Sequence, residues 1–345
     1  MDKEWKLFNL KDLFSIEKGT RLTIENRKDG EIPFVTAGHE NQGVSSFIGN
    51  KDLKLFKNSI TIDMFAEAFY RNYSFCCDDN IHVLTPYDEF DKYTSLFIVT
   101  VINAGNSIWN YGKQYRLKTF ERHKIMLPIT QNNKPDYEYM SMFMKNIEKE
   151  QINKYTKYLK ELDIANWGGA NRITQTEWKE YYIKDIFEKI QRGKRLTKAN
   201  FIDGINPYVS SSAINNGVDS FVGNKEKIRT FENCITLANS GSVGSTFYHP
   251  YHFVASDHVT HLKNDNFNKY IYLFIASVIK RLEAKYNFNR EINDKRLKNE
   301  IIMLPITETG EINYEFMENY MKCLEAKMIT KYLLKVIRGT KEVLK

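Results

Sequence analysis

Apolar residues recur along the chain with two different periods, and the switch between them happens twice. From residue 5 to about 130, and again from 178 to about 307, β-branched and aromatic residues come in short runs between Gly, Asn and Asp turns. Examples are Pro33-Phe34-Val35, Ser59–Met64, Pro207-Tyr208-Val209 and Cys234–Ala238. Such runs, bounded by turn residues, predict β-strands. One longer apolar stretch interrupts each region, Tyr93–Ala104 and Tyr270–Lys285, with Leu96, Phe97 and Val101 matching Leu273, Phe274 and Val278. Its length predicts a buried helix. After each region the spacing becomes three and four. Met140, Phe143, Met144, Ile147, Gln151, Tyr155, Tyr158 and Leu162 form the first stripe, and Met317, Tyr320, Met321, Leu324, Met328 and Tyr332 the second. With Lys and Glu between, these are amphipathic, coiled-coil-like helices. Asp136 and Asn313 stand at N-cap positions, with Glu138 and Glu315 in the favourable first turn. Each stripe either packs on its own domain or pairs with the other stripe.

The switches fall in register because the chain repeats itself. Glu4-Trp5-Lys6 returns as Glu177-Trp178-Lys179, and Ile125-Met126-Leu127-Pro128-Ile129-Thr130 returns unchanged as Ile302-Met303-Leu304-Pro305-Ile306-Thr307. The offset drifts only from 173 at the tryptophans to 177 at the isoleucines. Between these anchors, Gly19-Thr20-Arg21-Leu22-Thr23 matches Gly193-Lys194-Arg195-Leu196-Thr197, and Gly43–Phe47 matches Gly217–Phe221. Tyr70, Tyr73, Phe75, Asp79 and Leu84 reappear as Tyr248, Tyr251, Phe253, Asp257 and Leu262. A period far above the 20–50 residues of solenoids makes each copy a domain. The expected boundaries are 1–134 for the first domain, 135–164 for its helix, 165–176 for a linker around Trp167-Gly168-Gly169, 177–310 for the second domain and 311–345 for the second helix. Two similar but non-identical domains suggest one molecule engaging two related, non-identical sites.

Composition adds bounds. A length of 345 residues agrees with two domains of roughly 150 residues, and 42% hydrophobic content is enough for two cores. A net charge of +7 is compatible with a polyanionic partner without identifying one. The four cysteines form no Cys-x-x-Cys pair, as expected of reduced thiols in a cytoplasm. The first residues lack the apolar stretch of a signal peptide, and the longest apolar run, Tyr270–Ile279, is about half a membrane span. A cytoplasmic protein with no membrane partner is expected.

Chain order also implies geometry. The first helix leads from domain one toward domain two and the second must return, so a helix pair would be antiparallel, with the domains related by a pseudo-two-fold axis. Helices of about 28 residues span ~42 Å at ~1.5 Å per residue. On duplex DNA that is about 12 base pairs at ~3.4 Å each, near the one-turn spacing that puts two readers on one face.

The order domain–helix–domain–helix, with paired Gly-x-Arg-Leu-Thr turns, resembles the specificity subunits of type I restriction–modification enzymes. The step Leu127-Pro128-Ile129-Thr130 (Leu304-Pro305-Ile306-Thr307), followed by Pro135-Asp136-Tyr137-Glu138-Tyr139-Met140, is similar to a compact branch serving type IIB enzymes. The chain lacks the Pro-Pro-x-x-Glu-Gln spacer start usual in type I members, so both systems stay open. The resemblance implies an α+β fold: two tandem mostly-β target-recognition domains, each followed by a spacer helix, the helices forming an antiparallel coiled-coil-like pair with pseudo-two-fold symmetry. It implies a DNA-specificity role without catalysis, each domain reading half of a split site in double-stranded DNA. It also implies two methyltransferase copies, S-adenosylmethionine carried on that partner, and a restriction nuclease subunit or a fused nuclease–methyltransferase. The competing reading is a tandem carbohydrate- or protein-binding module.

Catalytic motifs are sparse. No Pro-Pro occurs, so the Asn/Asp-Pro-Pro-Tyr/Phe motif that holds a flipped adenine is missing, as is a P-loop lysine motif. Glu283-Ala284-Lys285 and Glu325-Ala326-Lys327 resemble the tail of a metal-nuclease motif but lack a paired upstream Asp. His249, His252, His258 and His261 cluster in sequence, yet Arg71, Ser74, Asn80 and Val83 occupy these positions in copy one, and no metal or catalytic residue is assigned.

Reading loops are expected where the copies share framework but differ in content, using side chains with paired donors and acceptors. Thr36–Gln42, with His39, Asn41 and Gln42, corresponds to Ser210–Asn216, with Ser211, Ser212, Asn215 and Asn216. Asp63–Arg71, ending at Arg71, corresponds to Leu237–His249, with Asn239 and Ser240. Asn110–Arg116, with Lys113 and Arg116, corresponds to Asn287–Ile292, with Arg290. Arg21, Lys28, Arg195 and Lys198, just after the matched turns, are the candidates for phosphate contacts.

Overall fold

The computed structural model describes residues 3–106, 109, 112–162, 173, 176–287 and 289–343. Most of the expected linker, with Trp167-Gly168-Gly169, lies outside the described residues, as do Asn110, Tyr111 and Phe288. The chain forms two compact units, 1–154 and 155–345.

In the first unit β1 (Trp5–Asn9), α1 (Leu10–Leu13) and β2 (Phe14–Lys18) lead into β3 (Asp29–Val35), β4 (Val44–Ile48), β5 (Ser59–Ile62), β6 (Ala68–Arg71), β7 (Cys76–Cys77) and β8 (His82–Pro86). Then come α2 (Lys92–Ala104), α3 (Leu117–Phe120), β9 (Lys124–Pro128) and α4 (Tyr137–Glu161). The strands make a four-stranded sheet β2-β8-β5-β6, a three-stranded sheet β4-β3-β7 and the pair β1-β9. The main core fills with Ile60 and Ile62 of β5, Leu84 of β8, Phe97, Ile98 and Ile102 of α2, and Ile125 and Leu127 of β9. Strand alternation explains the repeated hexapeptide: Ile125 and Leu127 turn inward, while Met126 faces out opposite Leu7.

The second unit repeats this order with β10 (Trp178–Tyr182), α5 (Ile183–Ile186), β11 (Lys189–Arg192), β12 (Asp203–Val209), β13 (Val218–Val222), β14 (Thr230–Phe231), β15 (Cys234–Ala238), β16 (Thr246–His249), β17 (Phe253–Ala255) and β18 (Val259–Lys263). It continues with α6 (Lys269–Ile279), α7 (Asp294–Lys298), β19 (Ile301–Pro305) and α8 (Tyr314–Val343). Its sheets are β11-β18-β15-β16, β13-β12-β17-β14 and β10-β19. Strand β14 is additional; in the first unit a single bridge, Phe56 to Phe75, takes its place.

Both long helices are capped as their sequences predict. The Asp136 carboxylate accepts from the Tyr139 N–H at 2.9 Å, and Asn313 Oδ1 from the Phe316 N–H at 2.9 Å. Each helix then docks on its own domain. Met140 and Met317 are wholly enclosed in the two main cores, and Phe143 and Tyr320 meet Phe97 and Phe274 edge-on, both at 5.8 Å. Glu148 accepts from Lys92 at 3.0 Å and Tyr93 at 2.5 Å, and Glu325 from Lys269 at 3.1 Å and Tyr270 at 2.8 Å. The last turns of α4, from Tyr155, belong to the second unit. There the Tyr155 ring meets Tyr332 at 6.2 Å, and the Tyr158 hydroxyl donates to Glu325 at 2.6 Å. Advancing along α4 retreats along α8, so the contact is antiparallel. The apolar stripe thus serves both alternatives, its first part facing its own domain and the end of α4 facing α8. Among the described residues, no helix is long and apolar enough to cross a membrane.

Candidate nucleic-acid interface

The most distinctive backbone lies in the loop between β3 and β4. Asn41, Gln42 and Gly43 are left-handed in succession, with φ of 48°, 56° and 79°. The second copy repeats this at Asn215, Asn216 and Gly217, with φ of 50°, 54° and 79°. Glycine suits this region and Asn tolerates it, but other side chains are strained there. Both loops close identically, Thr36 N–H to Gly43 O and Ser210 N–H to Gly217 O, each at 2.8 Å. The result is a tight polar tip whose His39, Asn41 and Gln42, or Asn215 and Asn216, are exposed, while Ser211 and Ser212 are half-buried.

The structure brings the three loops of each copy together. In the first unit, His39 contacts Glu67 of the β5–β6 hairpin at 2.6 Å. The third loop joins through Tyr115 N–H to Met64 O at 2.8 Å. In the second unit, Ser242 N–H of the β15–β16 hairpin donates to Ser211 O at 3.0 Å, and Ile292 N–H to Asn239 O at 3.0 Å. Each domain therefore presents one continuous surface built from the three segments where the copies diverge. Lys113, Arg116 and Arg290 are exposed on the third segment. Lys113 lies 5.0 Å from the Trp109 ring and Arg290 5.2 Å from the Tyr286 ring, and Arg116 donates to Gln114.

Three expected contact residues prove to be interior. Arg71 is fully enclosed, with Nε donating to Thr61 Oγ1 at 3.0 Å, Nη1 to the Tyr73 hydroxyl at 2.7 Å and Nη2 to Gln42 O at 2.6 Å. The rings of Phe69 and Phe75 lie 5.6 and 5.5 Å from the guanidinium. Burial pushes its pKa down, while Tyr73 works the other way. Asn239 is also buried, donating to Ile292 O and accepting from Thr260, both at 2.8 Å. Ser240 is buried against His258 Nδ1 at 2.6 Å. Enclosed side chains whose donors and acceptors are spent inside the domain cannot reach a base edge, so these three shape the loops instead.

The histidines also belong to the framework. His249 is the counterpart of Arg71, wholly buried, with its ring nitrogens on Thr236 Oγ1 at 2.8 Å and the Tyr251 hydroxyl at 3.2 Å. Burial alone lowers it to about 4, leaving a neutral ring at neutral pH. His261 stacks on Phe231 at 3.9 Å and meets Gln191 O at 2.8 Å. Among the described residues no His, Cys, Asp or Glu group is placed to hold a metal. Burial pushes the Cys77 and Cys234 thiols up to about 12, which makes them inert. Glu325, in the nuclease-like triplet, is held by Tyr158, Tyr270 and Lys269.

The phosphate candidates separate in space. Gly19 and Gly193 pass so close to the carbonyls of Cys77 and Asp78, or Ala255 and Ser256, that a side chain has no room. The turn is fixed further by Thr20 N–H to Cys77 O at 2.9 Å and Lys194 N–H to Ala255 O at 3.0 Å. This sets Arg21 and Arg195, both exposed, at the end of β3 or β12 where the tight loop begins. Lys28 precedes the other end of β3, a strand of seven residues or about 20 Å. Lys198 is exposed and pairs with Asp219 at 3.5 Å.

Sequence reasoning missed Phe47 and Phe221. These matched residues on β4 and β13 are 58% and 57% exposed. Phe47, Pro33, Val44, Tyr73, Asn41 and Gln42 line an open groove of about 630 Å³ beside the tight loop. The signal was available, since each Phe stands two residues after an outward-facing polar residue of its strand, Ser45 or Asp219.

The chain matches the type I restriction modification DNA specificity domain twice, over residues 2–157 and 175–332. It is similar to the type II restriction enzyme specificity subunit S.BcgI of Heyndrickxia coagulans, 27% identical over 338 residues, covering 94% of this chain and 96% of that protein. Among solved structures it resembles the type I restriction-modification S subunit from M. genitalium, with 16% identity, a TM-score of 0.46 and coverage of 98% and 95% of the two chains. It also resembles the HsdS subunit from Thermoanaerobacter tengcongensis, with 11% identity, a TM-score of 0.34 and coverage of 97% and 91%.

Proposed function

The chain belongs to the type I restriction modification DNA specificity family, and on that premise we propose that it reads a bipartite DNA site, each domain presenting its three-loop surface to one half. The observation that carries this reading is the double match combined with the loop geometry: in both copies, segments of different content converge on a shared framework. Two surfaces that differ only where they project suit two half-sites of different sequence. A tandem carbohydrate- or protein-binding module is set aside by the family.

Base edges are met by Asn41, Gln42, Asn215 and Asn216, whose amides offer paired donor and acceptor to adenine. Lys113, Arg116 and Arg290 extend the same surfaces, and Arg21 and Arg195 meet phosphates at their margin. The chain performs no chemistry itself. Methylation comes from a methyltransferase partner carrying S-adenosylmethionine, with one copy docked for each half of the chain through α4 and α8. Cleavage comes from a nuclease subunit or a nuclease fused to that methyltransferase. The complex works in the cytoplasm, where the DNA is.

The test is a domain replacement. Residues 1–154, the whole first unit with the part of α4 that docks on it, are exchanged for those of a family member with a different target, and the methylated motif of cells carrying the complete system is sequenced. One half of the motif should change and the other remain. A change in both halves, or in neither, would overturn the modular reading.

A further inference from the structure

The two reading loops share one strained backbone but are held differently. Of the four non-glycine residues in the two left-handed runs, three are Asn and one, Gln42, is not. Asparagine tolerates this region because its short side chain bonds locally, an advantage glutamine lacks. The Gln42 carbonyl is also the one the buried Arg71 guanidinium holds, at 2.6 Å. In the second copy His249 occupies that place and repeats two of the three arginine contacts, to Thr236 and Tyr251. The loop there rests on the neighbouring hairpin instead. Ser242 N–H donates to Ser211 O at 3.0 Å, and Gly241, with φ of +62°, sits so close that an added Cβ would lie 2.7 Å from Ser211 Oγ.

We propose that Arg71 is a positioning residue for the first half-site: through the Gln42 carbonyl it fixes the loop 36–43, while the Gly241–Ser242 corner fixes the loop 210–217 for the second. Neither group touches DNA. Each sets the direction in which Asn41 and Gln42, or Asn215 and Asn216, present their amides. The proposal rests on the half-site reading above, so its test has one arm independent of DNA.

Arg71→His places in the first domain the residue that the second already uses. It retains partners for Thr61 and Tyr73 and removes only the donor to Gln42. Amide hydrogen exchange of the full chain should then be about tenfold or more faster across 36–43, the scale of losing a charged hydrogen bond. Exchange in β5 and in 210–217 should stay unchanged. Gly241→Ala should do the reverse, loosening 210–217 with the hairpin corner it rests on and leaving 36–43 unchanged. In cells carrying the complete system, R71H should make the methylated motif degenerate in the first half only, and G241A in the second only. Unchanged exchange across 36–43 in R71H, or equal degeneracy in both halves, would overturn the proposal. A wild-type complex that methylates no split motif would instead overturn the half-site reading, and the exchange arm would still judge Arg71.

Discussion

His249 gives the second domain an acid sensitivity that the matching Arg71 cannot give the first. Its ring is wholly enclosed and lowered to about 4 from an ordinary 6.5. Between those values the unfolded chain binds a proton that the folded one refuses, so stability rises with pH across the window. The contribution is complete above pH 6.5 and is lost as pH falls toward 4. At about 1.4 kcal/mol per pH unit the whole window is worth about 3 kcal/mol, of which about 2 kcal/mol is gone by pH 5. The assay is hydrogen exchange in β15 and β16, corrected for the intrinsic pH dependence of amide exchange. Between pH 8 and pH 5, protection should fall about 30-fold, the equivalent of about 2 kcal/mol. His249→Gln can still bond Thr236 or Tyr251 but cannot take up the proton, so its slope with pH should be flatter. His261, also lowered by burial, contributes with the same sign in both proteins. The comparison therefore isolates His249. Equal slopes, or a His249 resonance titrating near 6.5 in the folded chain, would refute the reasoning.

Two further outcomes follow from the helix attachments. Met140→Ala and Met317→Ala each open a cavity at a wholly enclosed position and should destabilise their own domain by about 2–5 kcal/mol; thermal unfolding that shifts by less than a degree would contradict this packing. Tyr158→Phe removes the hydroxyl bonded to Glu325 and Tyr270 and should cost about 1 kcal/mol, given partial exposure. Exchange should rise in residues 155–161 and stay constant before residue 148.

Most of the frame was legible because it is written twice. The repeated Ile125–Thr130 hexapeptide, the caps at Asp136 and Asn313 and the paired turn glycines each carry a local physical requirement, and each recurs in the second copy. The interior role of Arg71 was harder to see, because burial of an arginine depends on three acceptors supplied from separate segments. A clue existed nonetheless: Thr61, Arg71 and Tyr73 recur as Thr236, His249 and Tyr251, and a polar position matched by threonine and tyrosine in both copies reads better as a buried network than as a free contact. Asn239 and Ser240 were misplaced for a similar reason, since Asn and Ser at a strand end suit a projecting tip and a side-chain brace equally well. The choice between packing and pairing for the helical stripes could not be made from spacing, because successive parts of one stripe do both.

The allegiance of α4 changes along its length, and that decides where hybrids can be joined. A graft ending at 134 leaves the whole helix with the recipient, and one ending at 154 still leaves it Tyr155 and Tyr158. A crossover after 162 would import a foreign tip to face Lys269, Tyr270 and Glu325. The position matching Tyr158 in the second copy is Lys335, so the native hydroxyl has no internal spare. Recombinants cut near 154 should keep both attachments, Met140 with its own core and Tyr158 with Glu325; those cut at 134 set a foreign core against Met140, and those cut late will need a tyrosine carried by the donor.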